Sequence, residues 1–465
     1  MNTNTYSPFD NSLSDLQTKD LQNLKHASEG WYIEYKSEVP NASALAKSIS
    51  AFANTYGGWL FLGVLEESKE NSVAGTFPGI NREHVDSTLQ RIRKSAADLL
   101  NPTPHFEIKV LWGPEASIGL NRDSAIICAW IPQSTAAPHV HKSGRIYRRV
   151  SDSSEPRAEN DRYILDQLWR RADDLKKNHE KWYEKDPEFS EAETEVPFVR
   201  LMLIADPWMI QDVWLEANEN KVRAALEETS GVSSIPFDNV YTSSRGFIGR
   251  QLRNNDVHNL TLTWKLYRDL VSDVIVPLPL HQPTQTDELG FNLVGYKHSE
   301  QFINILDSYK ISTLRIVDLN FLFNILLGVV EIQERLCRLA DWTGSYFFKI
   351  KLLNFWRTIP YIDVPEIMER FRLYGPPMCL DSISSFPSGT GPENYIEVKR
   401  YNSLETDIHR FLIQAITMFS SVAILFGIPN WFSYDQGSDV TPFHQSLYEA
   451  GIRALEKQRI KNSGK

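Results

Sequence analysis

Along residues 31–36 apolar and polar side chains alternate, with Trp31, Ile33 and Tyr35 on one parity and Tyr32, Glu34 and Lys36 on the other. A period of two is the signature of a strand. The period then lengthens. Leu45, Ile49, Phe52 and Ala53 fall on one face of a helix that Asn41 or Ser43 can cap and Gly57 can stop. Residues 59–64 are apolar throughout, which predicts a strand buried on both faces and central in its sheet. A second helix is predicted over 81–100, with Val85, Leu89, Ile92, Ala96 and Leu99 along its stripe and Pro102 and Pro104 beyond its end. Strands at 106–112, 125–131 and 145–150 and a helix near 157–177 complete the order β-α-β-α-β-β-β-α. That order predicts a mixed α/β domain over residues 25–178.

Residues 1–24 read as a polar N-terminal segment with one amphipathic piece, 13–24. Residues 179–195 are dense in charge, hold Pro187 and read as a linker. Residues 196–465 predict a separate α+β domain, with strands at 198–204, 260–267, 273–278 and 346–355 and helices at 318–342 and 407–426. Nothing in that half points to a chemistry; Trp356-Arg357-Thr358-Ile359-Pro360 reads as strand-to-loop packing. The uncharged stretch 411–428 reaches the length of a membrane span, but Gln414, Thr417, Ser420 and Ser421 within it favour a buried helix. No membrane partner is expected.

Composition changes this picture in three ways. At 465 residues, 42% hydrophobic and 23% charged, the chain suits two or three ordinary globular domains. A formal charge of −10 excludes a protein that coats nucleic acid through its overall field, so any polyanion needs a local basic patch. The three cysteines, Cys128, Cys337 and Cys379, show no ligand spacing and fit a reducing, cytoplasmic setting, and the acidic N-terminus lacks a secretory pattern. No phosphate-cradling Gly-x-x-x-x-Gly-Lys-Ser/Thr loop occurs, which leaves an ATPase site without support.

The candidate chemistry lies in the first strand. Glu34 and Lys36 emerge on the same face. Glu29, five residues earlier, has the wrong parity for that face, but Gly30 offers a break through which it can swing towards Glu34. Glu66 or Glu67, just past the buried strand, can supply a third carboxylate. Carboxylates suit Mg2+ or Mn2+, which polarise a phosphoryl oxygen and activate water, and a lysine can stabilise the developing charge. Spacing alone leaves open the alternative of solvated surface charges. His139, His141, Lys142, Arg145, Arg148, Arg149 and Arg157 form a late basic cluster. A strand edge there can grip phosphates, with Tyr147 available for stacking, or be an ordinary solvent face. His139-Val140-His141 lacks a third metal ligand.

Taken in order, these motifs resemble the Schlafen-like, AlbA-related domain family. They are Glu29, Glu34-Tyr35-Lys36, Ala51-Phe52-Ala53-Asn54-Thr55, Gly57-Gly58, Gly63-Val64, Val73-Ala74-Gly75, Ile131-Pro132, Pro138-His139 and Ile146-Tyr147-Arg148-Arg149-Val150. The resemblance covers about residues 25–170. It implies a metal-dependent nuclease acting on structured RNA of transfer- or ribosomal-RNA type, in bacterial defence or stress response. Glu29, Glu34 and Glu66 would then hold Mg2+ or Mn2+, Lys36 would assist, and Lys142, Arg145, Tyr147, Arg148 and Arg149 would hold RNA in preference to DNA. The family's acidic pair after Gly-Val is here Leu65-Glu66, so Leu65 replaces the first acid and Glu66 is the match for the third ligand. The alternative is a non-catalytic DNA- or RNA-binding regulator of the same family. The second domain would serve as a sensing or restraining part, or as the route to a homo-oligomer or a partner protein.

Overall fold

The computed structural model describes residues 6–9, 13, 15–68, 70–150, 153–208, 219–228, 237–251, 260–267, 270–283, 286–311, 314–342, 344–400, 407–429 and 442–463. The chain forms two compact units. One holds Met1–Tyr183 with Trp208–Gln211, the other Glu184–Pro207 with Asp212–Lys465.

The first unit is mixed α/β. Its elements are β1 (Ile33–Lys36), α1 (Ala42–Asn54), β2 (Gly58–Leu62), β3 (Leu65–Glu66), β4 (Ala74–Thr76), β5 (Ile80–Asn81), α2 (Arg82–Leu99), β6 (Leu100–Asn101), β7 (Glu107–Trp112), β8 (Ser124–Ile131), β9 (Val140–His141), β10 (Tyr147–Val150), β11 (Ser153–Ala158) and α3 (Arg162–Glu184). A five-stranded sheet runs β1-β2-β8-β5, with β7 also paired to β8. β1 and β2 are parallel, as a helical crossover requires, and the other pairings of this sheet are antiparallel.

The pleat of β2 and β8 sorts their side chains into two cores. Leu60, Leu62, Ile127, Ala129 and Ile131 pack under α1 and α2 against Leu45, Ile49, Phe52, Val85, Ile92 and Ala96. Trp59, Phe61, Ile126, Cys128 and Trp130 face the other way, and Phe9, Leu16, Leu21 and Leu24 cover them. The N-terminal segment is therefore more than a polar lead-in. Thr18–His26 forms a 3-10 helix whose Leu21 and Leu24, three apart, close that face of the sheet. Fully burying one such leucine contributes about 2 kcal/mol.

Two details of this unit differ from the sequence pattern. Trp31 and Tyr32 lie in a bend, and the strand starts only at Ile33. Arg157 belongs to β11, opposite Arg148, rather than to a helix, which starts at Arg162. Asn41 caps α1 by accepting from Ala44 N at 2.9 Å, and Gly57 leaves the helix at φ 76°. Gly58 meets the bend before β1 so closely that a Cβ there would stand 2.5 Å from Tyr32 O.

The second unit is α+β. Its eight-stranded sheet centres on Phe198–Ile204, flanked antiparallel by Ser272–Pro277 and Tyr346–Leu353. Arg200 crosses it buried, with Asp273 on two bonds of 2.9 Å and Asp186 at 3.0 Å; Asp186 also takes Lys351 Nζ at 2.7 Å. Residues 186 and 193, inside the charged stretch expected to be a linker, are thus tied into this unit, since Glu193 is buried and bonded to Leu260 N. The helix Asp407–Leu425 buries Phe411, Ala415, Met418, Phe419 and Val422. No helix among the described residues is long and apolar enough to cross a membrane.

Candidate functional site

The site is built where β1 leaves the Gly30 bend. Glu34 points into the protein and is 1% exposed. Its Oε2 takes Arg149 Nη1 at 2.8 Å, and its Oε1 takes Ser48 Oγ at 2.8 Å and Lys36 Nζ at 3.1 Å. Arg149 is fully buried, stacks on the Phe52 ring at 4.8 Å and donates through Nε and Nη2 to Gly30 O. Burial pulls the guanidinium pKa down, and the charges of Glu34 and Glu29 hold it up. A paired and hydrogen-bonded buried charge of this kind is a structural clamp. It fastens β10 to the start of β1.

Glu29 sits one residue before the bend, and its backbone N–H donates to Ser72 O at 3.0 Å. Its carboxylate turns back to accept the N–H of Tyr35. Burial pushes its pKa up to about 7; the Tyr35 N–H and Lys36 pull the other way, while Glu34 and Glu66 add to the rise. The β3–β4 hairpin brings Glu66 within electrostatic reach of Glu29, since Glu66 pairs with Ala74 and Ser28 bridges to Val73.

A cation shared by Glu29, Glu34 and Glu66 does not fit this arrangement. Both oxygens of Glu34 are already occupied by three donors. Among the described residues no three His, Cys, Asp or Glu side chains gather as ligands.

The basic residues divide. Tyr147 is buried, so its ring is not open to a base, and Arg149 is the clamp just described. Arg148 pairs with Glu159 at 2.7 Å. His139 and His141 are buried, and burial holds both below the usual histidine pKa, neutral at pH 7. Lys142 and Arg145 stand exposed in the turn closed by His141 N to Arg145 O at 2.9 Å. Lys47, not singled out from sequence, joins them: its Nζ lies 5.3 Å from the centre of the Tyr147 ring, which meets the His141 ring at 5.7 Å. Its position on the polar side of α1 was the available signal.

Residues 29–159 match the model of the family described as Schlafen, AlbA_2. The first unit therefore carries a Schlafen-like domain, a class tied to nucleic-acid binding. No curated protein matches the chain. Among solved structures, the DIP2311 protein from Corynebacterium diphtheriae is similar at 17% identity and a TM-score of 0.19, over 44% of this chain and 36% of that one. The match thus spans about a third of that protein's length.

Proposed function

We propose that the Schlafen-like domain binds nucleic acid in the cytoplasm and that its partner is structured RNA. The observation that carries this is the basic corner of Lys47, Lys142 and Arg145, none of which forms an ion pair among the described residues. On a chain of net charge −10 such a corner is what a phosphate backbone requires. Titrating a labelled RNA hairpin and its DNA counterpart at several salt concentrations tests it. Binding that weakens linearly with log salt and favours RNA is expected; no binding at low salt contradicts it.

A second reading, cleavage of that RNA, is favoured by Glu29. A carboxyl with a pKa of about 7 can take the proton of an attacking hydroxyl and return it to the leaving oxygen. Lys36, on the same face as Glu34, would balance charge on the phosphoryl group as the new P–O bond forms and the old one breaks. The magnesium or manganese implied by the family resemblance has no place in this step, because Glu34 is committed to Arg149 and Ser48 and Glu29 acts as the base. Incubation with transfer RNA, with and without manganese, is expected to give cleavage that Glu29→Gln abolishes while RNA binding persists. Intact RNA under every metal condition leaves the binding reading alone. A place in defence or stress response would follow from family analogy only.

A further inference from the structure

The Gly30 bend places two aromatic residues, Trp31 and Tyr32, side by side at the surface. Arg149 fixes the bend through Gly30 O and also through Ile33 O at 3.2 Å, and Trp59 N donates to Tyr32 O at 2.7 Å. A third ring, Tyr56, arrives from the turn that ends α1. The rings form a series: Tyr32 to Tyr56 at 6.2 Å, Tyr56 to Trp31 at 5.4 Å, with Tyr6 beyond Tyr32 at 5.5 Å. Tyr56 is 38% exposed, and Trp31 and Tyr32 are half-buried. Tyr32 packs in part on the core that Phe9, Trp59 and Phe61 build, while Tyr56 leaves that core for the surface.

Positive charge borders the same rings. Arg171 Nη2 donates at 3.0 Å to Asn54 O, two residues before Tyr56, and Nη1 donates at 3.0 Å to Ser134 O. Flat rings beside a guanidinium are the pairing that unpaired bases and their phosphates recognise; an aliphatic protein partner needs no such cation.

We propose that Trp31, Tyr32 and Tyr56 form a stacking platform for unpaired bases, flanked by Arg171, so that the domain takes looped or single-stranded segments of nucleic acid. This rests on the nucleic-acid reading above and adds to it a place and a preference for unpaired bases.

The full-length protein is titrated with a labelled pyrimidine-rich single strand and with a blunt duplex of the same length. Tyr56→Leu, at an exposed position, is expected to weaken single-strand binding by about 5- to 150-fold and leave duplex binding unchanged. Tyr56→Phe, which keeps the ring, is expected to bind as the unmodified chain does, and circular dichroism checks that each variant folds. Equal loss on both ligands, or single-strand binding untouched by Tyr56→Leu and by Trp31→Leu, overturns the platform while the nucleic-acid reading stands. Absence of binding to either ligand overturns both. If Tyr56→Leu instead dissolves a dimer and spares oligonucleotide binding, the rings pack a second copy of this chain and the platform is refuted.

Discussion

Replacing Glu29 by glutamine removes a charge that the fold accommodates poorly, and the consequence depends on pH. The carboxyl has a usual value near 4.5 and is raised to about 7, chiefly by burial. A folded-state pKa above the unfolded one means that the native protein holds a proton which the unfolded chain has lost between those values. Stability therefore falls as pH climbs from about 4.5 to 7 and is level above. At ~1.4 kcal/mol per pH unit the full span amounts to ~3 kcal/mol. The carboxyl is only half-buried, and solvent screening trims this to ~2 kcal/mol. Glutamine keeps the acceptor oxygen for the Tyr35 N–H and cannot ionise. Urea unfolding of both proteins, followed by tryptophan emission, should show a difference near zero at pH 4.5 and a gain of ~2 kcal/mol for Glu29→Gln at pH 8. A gap of constant size across that range, or a loss at pH 8, would refute the assignment of Glu29 as the strained acid.

Other perturbations test the framework. Arg149→Met leaves the buried Glu34 charge to Lys36 and Ser48 and should cost about 3 kcal/mol, read from denaturant midpoints; unchanged stability would mean the clamp contributes nothing. Gly58→Ala drives a Cβ against Tyr32 O and should cost about 1–3 kcal/mol, seen as a lowered melting temperature. In the second unit, Asp273→Ala takes from Arg200 the carboxylate that accepts two of its bonds and should cost about 2–3 kcal/mol in the same assay.

The fold was largely legible because β2, β8 and α1 announce themselves by period: residues 59–62 have no polar member, and 45, 49, 52 and 53 trace a single helical stripe. The surroundings of the candidate residues were less legible than the fold. Glu29, Glu34 and Lys36 could be singled out from a strand and a glycine. The partner that fixes Glu34, however, lies 115 residues away on β10, beyond any local pattern. Parity correctly put Tyr147 and Arg149 on one face of that strand. It could not say that this face is the buried one, because an arginine advertises solvent until its carboxylate partner is known. The aromatic bend was hidden for a similar reason: Trp31 and Tyr32 continue the alternation of β1 in sequence, while the backbone hydrogen bonds to Arg149 turn them out of it.

The claim that the first unit holds a phosphate backbone at its basic corner is tested most directly by reversing that charge. Lys142→Glu with Arg145→Glu alters two exposed side chains in one turn. Binding of a labelled RNA hairpin, followed by fluorescence anisotropy from 50 to 200 mM salt, should weaken at least tenfold. Its log–log salt slope should flatten by roughly 0.7–0.9 for each phosphate that the corner no longer neutralises. Affinity and slope equal to those of the unmodified protein would contradict the account.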